Sequence, residues 1–483
     1  MMRIVKNGGA EIVSKYGKLV KNVLLITLGN FGSKILSFLL IPLYTAVLTT
    51  AEYGIADLLT TTVNLLLPFF TLIISESVMR FALDQEKNKK EVFSIGIYIT
   101  IIGFLILVCF TPFILTRENI RAYYVYFLVY YLAVALYSVL SQFARGIEKV
   151  AIFSLCGVLQ TLVFISLNIL FLFVFKIGLM GYLLSLILST FFADVFLWFG
   201  AHLSKYVLSP RNISKETFKE MLGYSVPMIP NSISWWISNS SDKYIITFFS
   251  GVALTGVYSV SQRIPSLFSI ISTIFMGAWQ ISAVEDFGTE ESRHFFSNVY
   301  RKYSELNILI ISLLICGTRI LAHFLFSNDF YQGWIYVPVL LFASMFYSMG
   351  GFLGTIYTSA KKTKMLFIST VIAALANIVF NYLLIPKFGA MGAAIATLIS
   401  YFMVWVIRIV DTSKILKLDV NWKKEIILYI LVFLQIVLML INTMTMWGAS
   451  VLILLIILVT MYKDIIQFMN VGIKYLSNVI KKR

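Results

Sequence analysis

Residues 426–462 read IILYILVFLQIVLMLINTMTMWGASVLILLIILVTMY, 37 residues without a charged side chain. As one helix this run would reach about 55 Å, against a hydrocarbon core of about 30 Å. It is therefore two crossings, divided at Asn442-Thr443 and Trp447-Gly448. The rest of the chain repeats the pattern. Of 483 residues 59% are hydrophobic and 13% are charged, and the mean hydropathy is +0.88. A soluble chain with half the usual charge could not cover such a core with a polar exterior. At about 20 apolar residues per helical crossing, the apolar content supplies about fourteen. The composition thus predicts an all-α polytopic membrane protein and excludes a soluble enzyme, a nucleic-acid-binding domain and a secreted disulfide scaffold.

Charges, prolines and turn clusters divide the chain. Twelve further spans are expected: Val20–Leu48, Tyr53–Ala82, Val92–Leu115, Tyr123–Phe143, Val150–Phe175, Leu179–Leu203, Met221–Ser250, Thr255–Val284, Tyr303–Gly317, Tyr331–Tyr357, Met365–Ile385 and Ala390–Ile409. Numbered spans 1 to 14 in chain order, they put both termini in the cytoplasm. The formal charge of +16 then has a physical reading, because cytoplasmic loops collect Lys and Arg. In this topology 31 cations fall on internal loops and ends. External loops hold only Arg117, Arg121, Lys176, Arg319 and Lys387. An odd error in span number would have scrambled that asymmetry. No cleavable signal peptide is expected, since the apolar stretch after the basic N-terminus is too long for one.

Cys109, Cys156 and Cys316 sit in apolar runs and read as packing residues. His202, His294 and His323 are scattered, so no metal site and no cofactor are expected. No phosphate loop is present, which leaves an ion gradient, the substrate gradient or a partner as the energy source.

Sliding the chain on itself gives two ordered matches. At an offset of 202, Ala51-Glu52-Tyr53-Gly54 falls on Ala253-Leu254-Thr255-Gly256. At an offset of 211, Lys176, Gly178, Met180 and Gly181 fall on Lys387, Gly389, Met391 and Gly392. Both map a span onto the sixth span after it. Six is even, so the halves enter the membrane in the same sense, as parallel repeats do. The expectation is two six-helix lobes, 1–215 and 216–418, related by a pseudo-two-fold along the membrane normal. Residues 419–483 add two transmembrane helices and a basic tail.

Charges inside spans are the functional signal, since each at mid-bilayer costs about 2.5–3.5 kcal/mol. Lys34 is in span 1, Asp57 and Glu76 in span 2, Asp194 in span 6, Asp242 and Lys243 in span 7, and Arg263 in span 8. Lys34, Lys243 and Arg263, with Asp242, are the candidate lining of a wet substrate cavity, and fixed cations there would attract phosphate or carboxylate. Asp57, Glu76 and Asp194 are candidate gate or ion-coupling groups, against a bland reading as snorkelling or ion-paired charges. Pro42, Pro68, Pro227, Pro230 and Pro265 fall on the same spans and are candidate hinges, against simple enrichment of proline in membrane helices. Trp235, Trp236 and Trp279 read either as core or as platforms for sugars.

The long first span followed by LTTAEYGIAD (Leu48–Asp57), with NSSDKYIITFFSG (Asn239–Gly251), TGVYSVSQRI (Thr255–Ile264) and KFGAMGAAIAT (Lys387–Thr397), resembles the polysaccharide (O-antigen or capsule repeat-unit, Wzx-like) flippases of the multidrug/oligosaccharidyl-lipid/polysaccharide exporter superfamily. The resemblance covers nearly the whole chain. It implies an alternating-access transporter lined by spans 1, 2, 7 and 8. The implied cargo is undecaprenyl-diphosphate-linked oligosaccharide, moved from the cytoplasmic to the outer leaflet of a bacterial inner membrane. Lys34, Lys243 and Arg263 would match the cavity cations, and Asp242 the acid of an Asp-basic pair. Here Lys243 stands where Arg is common, which gives up bidentate phosphate geometry. The implied partners are the lipid-linked glycan, the bilayer, a coupling ion (H+ or Na+), and a glycan polymerase with its chain-length regulator, with no nucleic acid. A multidrug exporter, or a peptidoglycan-precursor or teichoic-type flippase, would share the fold. A membrane glycan polymerase or acyltransferase is the alternative of another class.

Overall fold

The computed structural model describes residues 38–110, 122–288, 291–441 and 443–462. Among these residues every regular element is helical. The chain divides into two compact units, Met1–Ser240 and Ser241–Arg483. The first carries α1 (Ile41–Val47), α2 (Thr50–Phe70), α3 (Ile74–Ala82), α4 (Lys89–Cys109), α5 (Tyr124–Gly146), α6 (Val150–Asn168), α7 (Gly178–Gly200) and α8 (Lys215–Ser225). The division falls inside α9 (Ile229–Ser250). The second unit continues with α10 (Val252–Ser261), α11 (Arg263–Glu285), α12 (Ser292–Leu325), α13 (Val337–Ser359), α14 (Lys364–Phe388), α15 (Ala390–Thr412), α16 (Trp422–Ile441) and α17 (Met444–Thr460).

Among the described residues ten helices are each long and apolar enough to cross a membrane, and the protein is a multi-pass membrane protein. Of the expected spans outside those ten, span 1 lies largely outside the described residues, and span 14 is the shorter helix α17. The other two are spans 7 and 8; the run NSISWWISNSSDK makes α9 the more polar helix, and span 8 is divided at Gln262 into α10 and α11. The expected spans 2 and 8 are therefore not continuous helices. Span 2 breaks at residues 71–73, where Leu72 and Ile73 both adopt φ 53°. For a β-branched residue such as Ile73 that is a strained backbone. Span 9 is longer than its apolar run suggested. The Arg319 guanidinium lies over the Trp334 ring, 4.7 Å from its centroid, so the helix passes this charge without ending.

In the first unit, two apolar clusters stack along the bundle. One joins Ala56, Leu59 and Val63 of α2 to Phe127 and Tyr131 of α5 and Leu179 and Leu183 of α7. The other joins Ile74 and Val78 of α3, Phe93 of α4, Val139 and Phe143 of α5, and Ala193 and Leu197 of α7. α2 starts from a capping box: Thr49 Oγ1 accepts from Glu52 N–H at 3.2 Å, and Glu52 accepts from Thr49 N–H at 2.8 Å.

In the second unit α13 is the central pillar, packed by α11, α12 and α15. Trp279 stacks on Phe352 at 4.7 Å and Phe275 on Tyr303 at 4.1 Å. Trp279 is thus interior, which removes it as a platform for sugar. Gly350 lets α13 approach Val404 and Trp405 of α15. α16 and α17 dock on α12 through a polar seam. Ser304 donates to Glu425 at 2.6 Å, Lys424 pairs with Glu305 at 2.6 Å, Ser312 donates to Gln435 at 2.9 Å, and Trp447 donates to the Cys316 carbonyl at 3.1 Å. In lipid such bonds fix the register of two helices that bulk hydrophobicity alone would leave free to slide.

The KxGxMG matches have one structural role in both units. Gly178 and Gly389 each begin a helix at φ +55°. A Cβ on Gly178 would stand 3.2 Å from Glu52, and one on Gly389 would stand 3.3 Å from Leu254. Residues 52 and 254 are themselves partners at the offset of 202. Gly181 and Gly392 then press on the preceding helix, against Phe171 and Leu384.

Candidate functional site

Asp242 and Lys243 occupy the middle of α9, a helix polar enough to stand apart from its apolar neighbours. Both are buried. The two Asp242 oxygens are separately held: Tyr258 OH of α10 donates to one at 2.7 Å, and Lys243 N–H donates to the other at 2.9 Å. Thr247 Oγ1 donates to the Lys243 carbonyl at 2.8 Å and lies 2.7 Å from Thr255 Oγ1. The end of α9 is thereby laced to α10 across the tight turn at Gly251, whose φ of +87° only glycine adopts readily.

Ser241 ties the same segment to α14, donating to Asn377 Oδ1 at 3.3 Å, and Asn381 Nδ2 donates to that oxygen at 2.8 Å. Asn381 Oδ1 is buried without a bond. A carboxylate and amide carbonyls are hard oxygen donors, the kind that alkali and alkaline-earth cations accept.

Arg263 opens α11 and is half-buried. Lys34 lies outside the described residues. In the first unit, Asp57 is buried on α2, and Glu76 accepts from Gln142 at 3.0 Å, which in turn accepts from Arg145 at 2.8 Å. Asp194 is buried on α7, and neither oxygen has a hydrogen-bond partner. The expected site residues therefore fall into two groups. Asp242 and Lys243 share one knot with Tyr258, Thr247 and Thr255, while Glu76 and Asp194 have separate surroundings.

The prolines stand at helix beginnings more than in helix interiors. Pro42 and Pro230 are second residues of α1 and α9, Pro227 lies in the 3-10 turn between α8 and α9, and Pro265 is the third residue of α11. The first turn tolerates proline because its N–H groups have no intrahelical partner. Pro68 is the interior one, one turn before the break at residues 71–73.

Arg408, a cation near the expected end of span 12, lies buried in α15 rather than in a loop. It donates to Gly350 O at 2.8 Å, Ser369 Oγ at 3.0 Å and Thr370 Oγ1 at 3.0 Å. It clamps α13, α14 and α15. The signal available in sequence was its position inside the apolar run of span 12, one residue from the expected end. Of the tryptophans, Trp236 donates to the Thr61 carbonyl at 3.0 Å, and Trp235 remains partly exposed.

The pattern of the family described as "Polysaccharide biosynthesis protein" matches residues 19–280, more than half of the chain and including the α9–α10 knot. The chain belongs to that family. An uncharacterized membrane protein of Methanocaldococcus jannaschii is 24% identical over 425 residues, covering 83% of this chain and 99% of the relative. A capsular polysaccharide biosynthesis protein, CapF, of Staphylococcus aureus is 26% identical over 236 residues, covering 46% of this chain and 57% of CapF. Among solved structures, the lipid II flippase MurJ in an inward closed conformation superposes with a TM-score of 0.66 at 15% identity, over 92% of this chain and all of that one. An inward-facing multidrug transporter of the same superfamily gives 0.67 at 14% identity, over 78% and 92% of the two chains. This member of the polysaccharide biosynthesis family thus has the fold of the multidrug/oligosaccharidyl-lipid/polysaccharide transporters.

Proposed function

We propose that this chain is a flippase for undecaprenyl-diphosphate-linked oligosaccharide repeat units, moving them from the cytoplasmic to the outer leaflet of a bacterial inner membrane for O-antigen, capsule or a related surface glycan. The family match carries the reading, and the buried Asp242-Lys243 pair supports it, because an ammonium held inside a membrane helix is a binding partner for a diphosphate. Lys243, Arg263 and Lys34 would neutralise the diphosphate while the two six-helix lobes, 1–215 and 216–418, alternate its exposure between the two faces. Asp242 would keep Lys243 charged and oriented. An ion gradient would supply the energy. A glycan polymerase and chain-length regulator would receive the product outside, and both termini would lie in the cytoplasm.

A second reading, a flippase of the peptidoglycan precursor, draws on the fold shared with the lipid II flippase across 92% of this chain. Drug export fits less well, since a buried ammonium repels the cations that such carriers commonly take. Deleting the protein and extracting lipids separates the readings. Accumulation of lipid-linked oligosaccharide on the inner leaflet is the expected result. Accumulation of a peptide-bearing lipid favours the second reading, and unchanged lipid pools with normal surface glycan remove both.

A further inference from the structure

The segment between α7 and α9 carries a charge pattern that the site above does not use. Residues 203–214 run through two short 3-10 turns, Leu203–Tyr206 and Pro210–Asn212, and lead into α8. This stretch is strapped to α4. Ser94 Oγ donates to the Tyr206 carbonyl at 3.2 Å and accepts from Leu208 N–H at 2.8 Å, and Tyr98 OH donates to the Leu208 carbonyl at 2.6 Å. Glu91 accepts from Ser214 N–H at 3.3 Å. At 1.5 Å per residue, Ser94 and Tyr98 lie about 8 and 14 Å along α4 from Lys89. The strap therefore runs beside the turns where α4, a membrane span, passes from Lys89-Lys90-Glu91 into its apolar stretch. That is the depth of lipid head groups.

α8 has three unlike faces. Met221 and Ser225 are buried, and Ser77 Oγ of α3 donates to the Met221 carbonyl at 2.6 Å. Glu216, Glu220 and Tyr224, spaced four apart, form the second face. There Glu220 pairs with Lys87, and the Tyr224 ring meets that of Phe81 at 6.2 Å. The third face holds Lys215, Phe218 and Lys219, three and four apart and all exposed. The strap adds Lys205, Val207 and Arg211, also exposed. Among the described residues none of these four cations has an ion pair or a side-chain hydrogen bond. Cations interleaved with open apolar side chains, on backbone pinned at this depth, suit a surface that is negative on top and oily beneath.

We propose that residues 203–219 form a binding surface for anionic phospholipid head groups of the adjoining leaflet. Lys205, Arg211, Lys215 and Lys219 meet the phosphates, while Val207 and Phe218 reach the acyl chains between them. An acidic soluble protein would match the cations. The bonds to Ser94 and Tyr98, however, set Val207 beside an apolar helix, where lipid and not water is the neighbour. α8 continues through the 3-10 turn Val226–Met228 into α9, so lipid bound here holds the start of the helix that carries Asp242 and Lys243. The inference stands on the strap and α8 alone and does not need the flippase reading.

The test is hydrogen exchange, read by mass spectrometry, of the purified full-length protein in two kinds of nanodisc. One is phosphatidylcholine, the other an equal mixture of phosphatidylcholine and phosphatidylglycerol. Peptides covering residues 203–225 should exchange about tenfold more slowly in the mixture, while those of α15 exchange alike in both. The difference should disappear when Arg211→Gln, Lys215→Gln and Lys219→Gln are combined, shrink in Phe218→Ser and survive in Glu216→Gln. High salt should also abolish it in the wild type, which decides the matter should the triple variant fail to fold. Equal exchange in the two nanodiscs, or a difference that the triple variant keeps, overturns the proposal. So does slowing shared by every span, which would mark a bulk effect of the bilayer. The same slowing by inorganic phosphate in phosphatidylcholine alone also overturns it, since the ligand would then be a free anion.

Discussion

The two units each bury a carboxylate in a long helix and treat it in opposite ways. Asp242 in the second unit has a donor on each oxygen, a tyrosine hydroxyl and a backbone N–H, with a lysine as its next residue. Asp194 in the first unit has a donor on neither. The same side chain thus sits in unlike surroundings in the two helices, held by donors on both oxygens in one and by packing alone in the other.

The largest break in this comparison should come from Asp242→Ala, which leaves Lys243 without its neighbouring acid and the buried Tyr258 hydroxyl without its acceptor. Surface polysaccharide should fall more than about tenfold at normal protein level, the factor set by ~1.4 kcal/mol or more of lost function. Immunoblots of glycan and protein together check it, and undiminished export removes Asp242 from the mechanism. Gly392→Ala should come next. Its Cβ would stand 2.5 Å from the Leu384 carbonyl carbon and oxygen, whereas that of Gly181 meets side-chain atoms first, Ile177 Cγ1 at 2.8 Å and Phe171 Cβ at 2.9 Å. A backbone cannot turn aside as a side chain can. Gly392→Ala should therefore lose about 1–3 kcal/mol and Gly181→Ala less. Thermal unfolding in detergent reads both, and equal losses would contradict the difference between the two units.

Tyr258→Phe removes one hydrogen bond to Asp242 and should cost about 1.5–3 kcal/mol if that carboxylate is charged, or nearer 1 kcal/mol if it is neutral. The same melting measurement in Asp194→Asn should show a change within about 1 kcal/mol, because no bond is lost. A large loss there would mean that Asp194 has partners after all. The smallest effect belongs to Lys87 and Glu220, which pair between the loop before α4 and α8. Exposed pairs gain little against solvent, so Glu220→Gln should leave the melting temperature within experimental scatter.

Much of this was legible along the chain. Composition fixes the solvent that a chain can fold in, and 59% hydrophobic residues leave only the bilayer. The break in the last apolar run, the KxGxMG pairs and the place of Asp194 in an apolar helix follow from periodicity and spacing. The left-handed residues at 72 and 73 were not legible, because Leu and Ile carry no turn signal. Nor was the burial of Arg408, since a cation near a span end reads equally well as a loop residue. The places of the prolines within their helices were not legible either, because their count on a span says nothing of whether they stand in its first turn or its middle.

The amino-acid sequence by itself determined the helical membrane class and the approximate crossings, because these depend on local composition and on bilayer thickness. Which charge meets which partner was decided only by the tertiary structure. Tyr258 reaches Asp242 because the turn at Gly251 folds α10 back along α9, whereas no donor comes within hydrogen-bonding distance of either Asp194 oxygen. Hydrogen bonds act over about 3 Å, and helix register sets distance at that scale.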